Sequence, residues 1–323
     1  MHQILNFIDM TKETKSWILL LTLACIWGSS FILIKKGMFT DEHQPIFSDV
    51  QVGALRMLIA SFVLLPFALK SLRKIQTLKE LICLGIAGFT GNFFPSFLFT
   101  YAENGISSGY AGMLNSFTPI FSIIIGLIIF KNRVSLIQFI GLIIGSIGIV
   151  LLINNAGSDL SNSTFKGDWT HVLAVVFATF FYAVSLNTIK YTLQKFEAIE
   201  ITSLAFMIIL LPSLFTGYSA GTIQTIQNNP NALNGLLYIS ILSVLGTALA
   251  VVLFNKVIAF SSTLFASSVT YFIPIVAVLI GLTIGEQITF GQIGAMFVIL
   301  FGVFVANYWS VLKDKFYQNN KGY

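Results

Sequence analysis

Ten apolar runs, each about 20 residues long, follow one another along the chain at roughly 17–37, 50–69, 81–102, 107–130, 134–153, 169–189, 200–220, 233–255, 263–285 and 288–309. Crossing about 30 Å of hydrocarbon takes about 20 residues of helix, so each run has the length of one membrane span. With 56% of its 323 residues hydrophobic and 10% charged, a soluble domain could not cover its own apolar surface. The bilayer is therefore the expected solvent and partner. Backbone in lipid must pair internally, and the runs lack the alternation of barrel strands. The expected fold class is all-α integral membrane, with ten transmembrane helices.

The runs also repeat at an offset of 155 residues. "SFTPIFSIIIGLIIFK" at 116–131 returns as "YFIPIVAVLIGLTIGE" at 271–286, pairing Pro119 with Pro274 and Gly126 with Gly281. Trp27 meets Tyr182, Lys35 meets Lys190, Gly91 meets Gly246, Phe99 meets Phe254 and Ala111 meets Ala266. After Gly285 the offset falls to 154, where Gln138 meets Gln292 and Gly148 meets Gly302. The second and seventh runs fit less well. Five spans per half is an odd number, so the halves must enter the membrane in opposite directions, as two inverted repeats. The expected layout is a leader at 1–16, a first repeat at 17–153, an outer linker at 154–168, a second repeat at 169–309 and a tail at 310–323.

Inverted repeats suit secondary carriers, whose site lies near the midplane between the halves. Either half can take the conformation of its twin, which supplies inward-open and outward-open states. A proline inside a helix removes one donor and frees the carbonyl four residues earlier, here that of Asn115 before Pro119 and of Thr270 before Pro274. Asn115 with Thr270, Asn92 with Thr247, and Trp27 with Tyr182 are three repeat-related pairs at similar depth. They are the expected lining of a central cavity for one small solute, with Ser116, Asn187 and Tyr271 as further candidates. Pro119 and Pro274 are the hinge candidates. The bland reading is that amides and hydroxyls join helices while the aromatic rings pack. Glycines of the fifth and tenth runs, including Gly141, Gly145, Gly148, Gly294 and Gly302, are assigned to close helix contact in a scaffold or dimer.

Lys and Arg set the orientation. With the N-terminus inside, fourteen of the eighteen basic residues fall on the cytoplasmic side. Both termini are thus expected in the cytoplasm of a bacterial inner-membrane protein. The sequence pI near 9.1 follows from this topology and implies no nucleic-acid partner.

An ionisable residue at a span centre costs roughly 2.5–3.5 kcal/mol on insertion scales. Arg56, about six residues into the second run, is close enough to the outer side to snorkel. It can pair with Glu103 or Asp49, or attract an anionic group of a solute. Glu103 at the outer end of the third run and Glu286 after the ninth are expected at the interface. Arg56, Glu103 and Lys35 are the charged gating or pairing candidates. No carboxylate is expected near the midplane, which favours a neutral or zwitterionic solute over a cation. The histidines show no ligand spacing, and Cys25 and Cys83 lie in separate runs, so no metal site, disulfide or cofactor is expected.

Two other classes fit less well. An intramembrane prenyltransferase would need aspartate clusters that the chain lacks, so an enzyme is not expected. A membrane scaffold would need no midplane cavity. Monomer and homodimer are both compatible with the sequence.

The motifs "WGSSFILIKKGM" at 27–38, "LRMLIAS" at 55–61, "SSGYAGMLNSFTPIFSIIIGLIIF" at 107–130 and "SSTLFASSVTYFIPIVAVLIGLTIGEQIT" at 261–289 resemble the drug/metabolite transporter superfamily, of the ten-helix EamA type. The resemblance covers about 17–309. It implies a basket of ten helices in two inverted halves, exporting metabolites such as amino acids from bacteria. It carries over Trp27, Lys35 and Arg56 as family-like positions, and Glu286 as the acid closing the ninth span. Such proteins commonly have an acid closing the fourth span too, where this chain has Lys131. The expected function is export of amino acids or similar amphipathic solutes, with proton-coupled export of drugs or other metabolites as the alternative.

Overall fold

The structure, a computed structural model, describes residues 12–131, 135–154, 168–260, 266, 269–286 and 288–319. Among these residues it is helical, without strands. Seven helices are long and apolar enough to cross a membrane, and three shorter apolar stretches, Leu136–Leu152, Phe272–Thr283 and Phe290–Ala306, occupy the fifth, ninth and tenth positions. The first span is Lys12–Met38, the second Asp49–Ser71, the sixth Trp169–Thr192 and the seventh Ala198–Ser219. The fifth is Leu136–Asn154, the ninth Val269–Thr283 and the tenth Phe290–Asn319. The third, fourth and eighth are each broken into two helical pieces, and all three breaks fall at the centre of the bundle.

Helix starts follow local chemistry. Ser48 and Gln51 form a reciprocal cap on the second span. Ser135 with Gln138 opens the fifth and Thr289 with Gln292 opens the tenth, with matching bonds of 2.9 and 3.2 Å at both sites. Each cap satisfies N–H groups that a membrane interior would leave stranded. The last two caps are repeat mates, so the duplication survives down to individual hydrogen bonds.

The breaks repeat as well. In the third span the pieces Leu78–Gly88 and Phe94–Glu103 are joined by a π-helical turn at Phe89–Phe93. In the eighth, Ala232–Ser243 and Ala250–Phe260 are joined by a π-helical turn at Val244–Leu249. Single π turns widen the backbone and release carbonyls. Gly91 and Gly246 sit in these two turns. A Cβ at Gly91 would lie 2.3 Å from Ser185 Oγ and one at Gly246 2.8 Å from Ser30 Oγ, so both contacts require glycine. Ser30 and Ser185 are themselves mates.

Packing has the same pseudo-twofold symmetry. The second span packs on the seventh and the fifth on the tenth, each pair being mates across the axis. The first span packs on the ninth and on the eighth, matched by the sixth on the fourth and on the third. Fifth and tenth spans touch backbone to backbone: a Cβ on Gly302 would fall 2.2 Å from Gly145 N, and one on Gly141 2.4 Å from Ala306 N. This is contact between the two halves of one chain. Gly294 faces open space and takes no part in it.

The fourth span corrects the reading of its proline. Ser108–Leu114 and Thr118–Ile128 are joined by a 3₁₀ turn at Asn115–Phe117, placing Pro119 at the second position of a helix, where no N–H is missed. The Asn115 carbonyl is not released into the cavity, because the backbone N–H and Oγ1 of Thr118 both donate to it. Pro274 lies inside the continuous helix Val269–Thr283.

Candidate functional site

A cavity of about 140 Å³ lies where the two π turns face each other. Its walls come from both halves in matching positions: Trp27 with Tyr182, Ser30 with Ser185, Ile34 with Ile189, Phe99 with Phe254 and Asn115 with Thr270. Two aromatic contacts repeat across it, Trp27 against Phe254 at 5.0 Å and Tyr182 against Phe99 at 5.8 Å between ring centroids. The indole Nε1 of Trp27 donates to the Gly246 carbonyl at 3.0 Å, taking up an acceptor in the π turn.

Of the residues expected from sequence, Trp27, Asn92, Asn115, Tyr182, Thr270 and Arg56 line the cavity. Ser116 does not: it is fully buried, away from the cavity wall. Asn187 does not either, since its Nδ2 donates to the Ser122 carbonyl and Oγ and to Ala183 O, joining the sixth span to the fourth. Thr247 lies behind the wall, and the side chain of Tyr271 is outside the described residues. Lys35 and Glu103 lie towards one end of the bundle.

Arg56 departs most from expectation. It does not snorkel: it is 8% exposed and points into the bundle. Its Nε donates to Thr247 Oγ1 at 2.8 Å, and that hydroxyl in turn donates to the Leu242 carbonyl at 3.1 Å. Thr247, in the π turn, therefore aims the guanidinium. Tyr182 and Glu103 are within electrostatic reach, yet among the described residues no carboxylate lies within 4.0 Å of Arg56, and its terminal nitrogens have no hydrogen-bond partner. A cation with an empty fork thus faces the cavity, where sequence reading expected no fixed charge. The position of Arg56 along its helix was legible, but the direction it faces depends on the eighth span.

Two buried amides stand in the same wall. Asn115 and Asn255 line the cavity, and among the described residues their Oδ1 atoms are enclosed without a partner. Asn255 Nδ2 is held by Thr202 Oγ1 at 2.8 Å, so the oxygen, not the amide nitrogen, is left over. Sequence reading missed Asn255, Ser30, Ser185 and both phenylalanines. The identity of Phe99 and Phe254 across the repeat was the available signal. Asn255 has a threonine, Thr100, as its mate and carried no such mark.

At the end of the bundle where the first, third and ninth spans finish and the fourth begins, Glu286 joins three elements. Gly285 takes a positive φ of 85°, and the Glu286 N–H returns to the Gly281 carbonyl at 2.9 Å, a glycine C-cap that turns the chain back. The carboxylate then accepts from the backbone N–H of Ser108 and Gly109 at 2.8 and 2.9 Å and pairs with Lys35 at 3.4 Å. Glu103 stands beside it with no exposure at all, which overturns its expected place at the interface.

Comparison with known proteins agrees with this architecture. The EamA-like transporter family model matches twice, at 14–154 and 169–308. An uncharacterized inner membrane transporter of Escherichia coli, YedA, is 26% identical over 290 residues, 88% of each chain. The S-adenosylmethionine/S-adenosylhomocysteine transporter of Chlamydia muridarum is 25% identical over 94% of each chain. A protein of Salmonella typhimurium named "probable amino-acid metabolite efflux pump" is 23% identical over 90% of this chain and 94% of its own. One solved crystal structure superposes with a TM-score of 0.59 at 15% identity, over 91% of this chain and 96% of the other, and so shares the fold.

Proposed function

The chain belongs to the EamA-like transporter family, a multi-pass membrane transporter, and from that premise we propose that it carries a small zwitterionic solute of the amino-acid class. The proposed route is alternating access across a bacterial inner membrane, with both termini in the cytoplasm and export as the working direction. The observation that carries this reading is the guanidinium of Arg56, held only at Nε, in a cavity also lined by the polar residues Asn92, Asn115 and Asn255.

A planar guanidinium matches a carboxylate in two parallel hydrogen bonds. An amide oxygen accepts from an ammonium. Arg56 and Asn115 each lie seven residues in from the same end of their spans, about 10 Å deep at 1.5 Å per residue, so the two groups stand at a similar level of the cavity wall. Trp27, Tyr182 and the two phenylalanines offer apolar faces to a side chain. A cationic drug with no carboxylate would meet the charge of Arg56 without a group to offset it. The named relatives handling amino-acid metabolites and S-adenosylmethionine support a solute with an amino-acid head. No catalytic step enters this reading.

Binding of radiolabelled amino acids to the purified protein in nanodiscs tests it, with the matching decarboxylated amines as competitors. An amino acid should bind while its amine, lacking the carboxylate, fails to compete. Equal competition by the amine would overturn the assignment.

A further inference from the structure

The buried acid Glu103 is not used by the cavity. It is fully enclosed; its Oε2 accepts from Ser108 Oγ at 3.0 Å, and its Oε1 has no partner. Among the described residues no cation lies within 4.0 Å of it. The repeat does not require an acid here, since Ile258 stands at the equivalent position and Lys131 stands where Glu286 would recur. The cluster therefore exists at one end of the bundle only, where first, third, fourth and ninth spans converge over the cavity.

The groups facing Glu103 are few. Lys35 from the first span, Glu286 after the ninth and Arg56 from the second act on its charge. His171 of the sixth span stacks on Tyr101, two residues away, and is turned to Asp168. Lys35 is already paired with Glu286, and Arg56 is held by Thr247. With Glu103 ionised, two enclosed carboxylates would share one lysine, and a surplus buried charge is relieved either by a proton or by water.

We propose that Glu103 is a proton-binding site built into the gate at this end. With a proton on Glu103, the Lys35–Glu286 pair is electrically balanced and holds the fourth span against the first and ninth. With Glu103 ionised, Lys35 is drawn between two carboxylates, and hydration of the surplus charge opens the gate. Occupation of Arg56 by a solute carboxylate would remove a compensating charge and favour the proton. The gate and the cavity are thus linked through Arg56, although the gate's response to protons does not depend on which solute is carried.

The test needs no substrate. Ile34→Cys places a thiol on the cavity wall in a background with Cys25 and Cys83 replaced by serine, and Asp41→Cys in the loop at the same end serves as reference. Membrane vesicles are labelled with an impermeant maleimide at a series of pH values, and the rate at Ile34→Cys is divided by that at Asp41→Cys to cancel thiol ionisation. The ratio should fall at least about 5-fold as the medium is acidified, the lower end of usual coupling. Glu103→Gln keeps the Ser108 bond and mimics the protonated acid, so the ratio should stay low at every pH. In nanodiscs, an infrared band of a protonated carboxyl should vanish on alkalinisation in the wild type and be absent from Glu103→Gln. A pH-independent ratio in the wild type, or a Glu103→Gln variant that still follows pH, would overturn the proposal.

Discussion

At the scale of single residues, Arg56 is the group whose chemistry separates this cavity from a packed helix interface. A buried cation costs several kcal/mol unless compensated, and one neutral hydroxyl compensates it only in part. Hydrogen bonds to charged groups contribute about 1.5–3 kcal/mol, so Arg56→Gln should weaken amino-acid binding by roughly 10- to 150-fold. Arg56→Lys should not restore it, because an ammonium offers neither the planar fork nor the Nε contact that Thr247 orients. Titration of both variants in nanodiscs checks this, and full rescue by lysine would mean that only charge matters. From sequence, Arg56 could be placed by depth but not by direction. One turn of helix separates a side chain that reaches water from one that faces a partner. The same limit hid Glu103: its helix end looked interfacial, whereas Ser108, Lys35 and Glu286 close over it.

At the scale of elements, the interrupted helices carry the function and the glycine-lined ones carry the frame. The π turns at Phe89–Phe93 and Val244–Leu249 place Gly91 and Gly246 against the serines of the opposite half, bring Asn92 to the cavity wall and set Thr247 behind it to hold Arg56. The fifth and tenth spans instead interlock through backbone contact. Gly302→Ala puts a methyl group 2.2 Å from the Gly145 nitrogen, which costs about 1–3 kcal/mol of overpacking. Gly294→Ala meets nothing within 4 Å and should leave stability unchanged or raise it by under about 1 kcal/mol. Thermal unfolding in detergent distinguishes them; equal melting temperatures would mean the fifth and tenth spans pack less closely than described. The existence and order of the ten spans were legible because lipid leaves the backbone no alternative to helix. The π turns were not, since no residue type dictates them: past the first the chain has Pro95, and at the equivalent position past the second it has Ala250. Pro119 looked like a helix break and proved to be a helix start.

At the scale of the whole molecule, the repeat is the most informative property of the sequence. It predicts which residues meet across the axis, and the cavity is walled by those pairs. What symmetry cannot disclose is where the halves differ, and the differences carry the charge: Arg56 in the cavity, Glu103 and Glu286 at one end only. A carrier needs two states of similar energy, which symmetry supplies, and a bias between them, which these unmatched residues supply. The most direct measurement is counterflow in proteoliposomes loaded with unlabelled amino acids, following entry of trace labelled solute for the wild type and Arg56→Gln. Transient accumulation of a labelled zwitterionic amino acid in the wild type, lost in Arg56→Gln, is the expected result. Accumulation that is indifferent to Arg56, or counterflow of amines but not of amino acids, would contradict it.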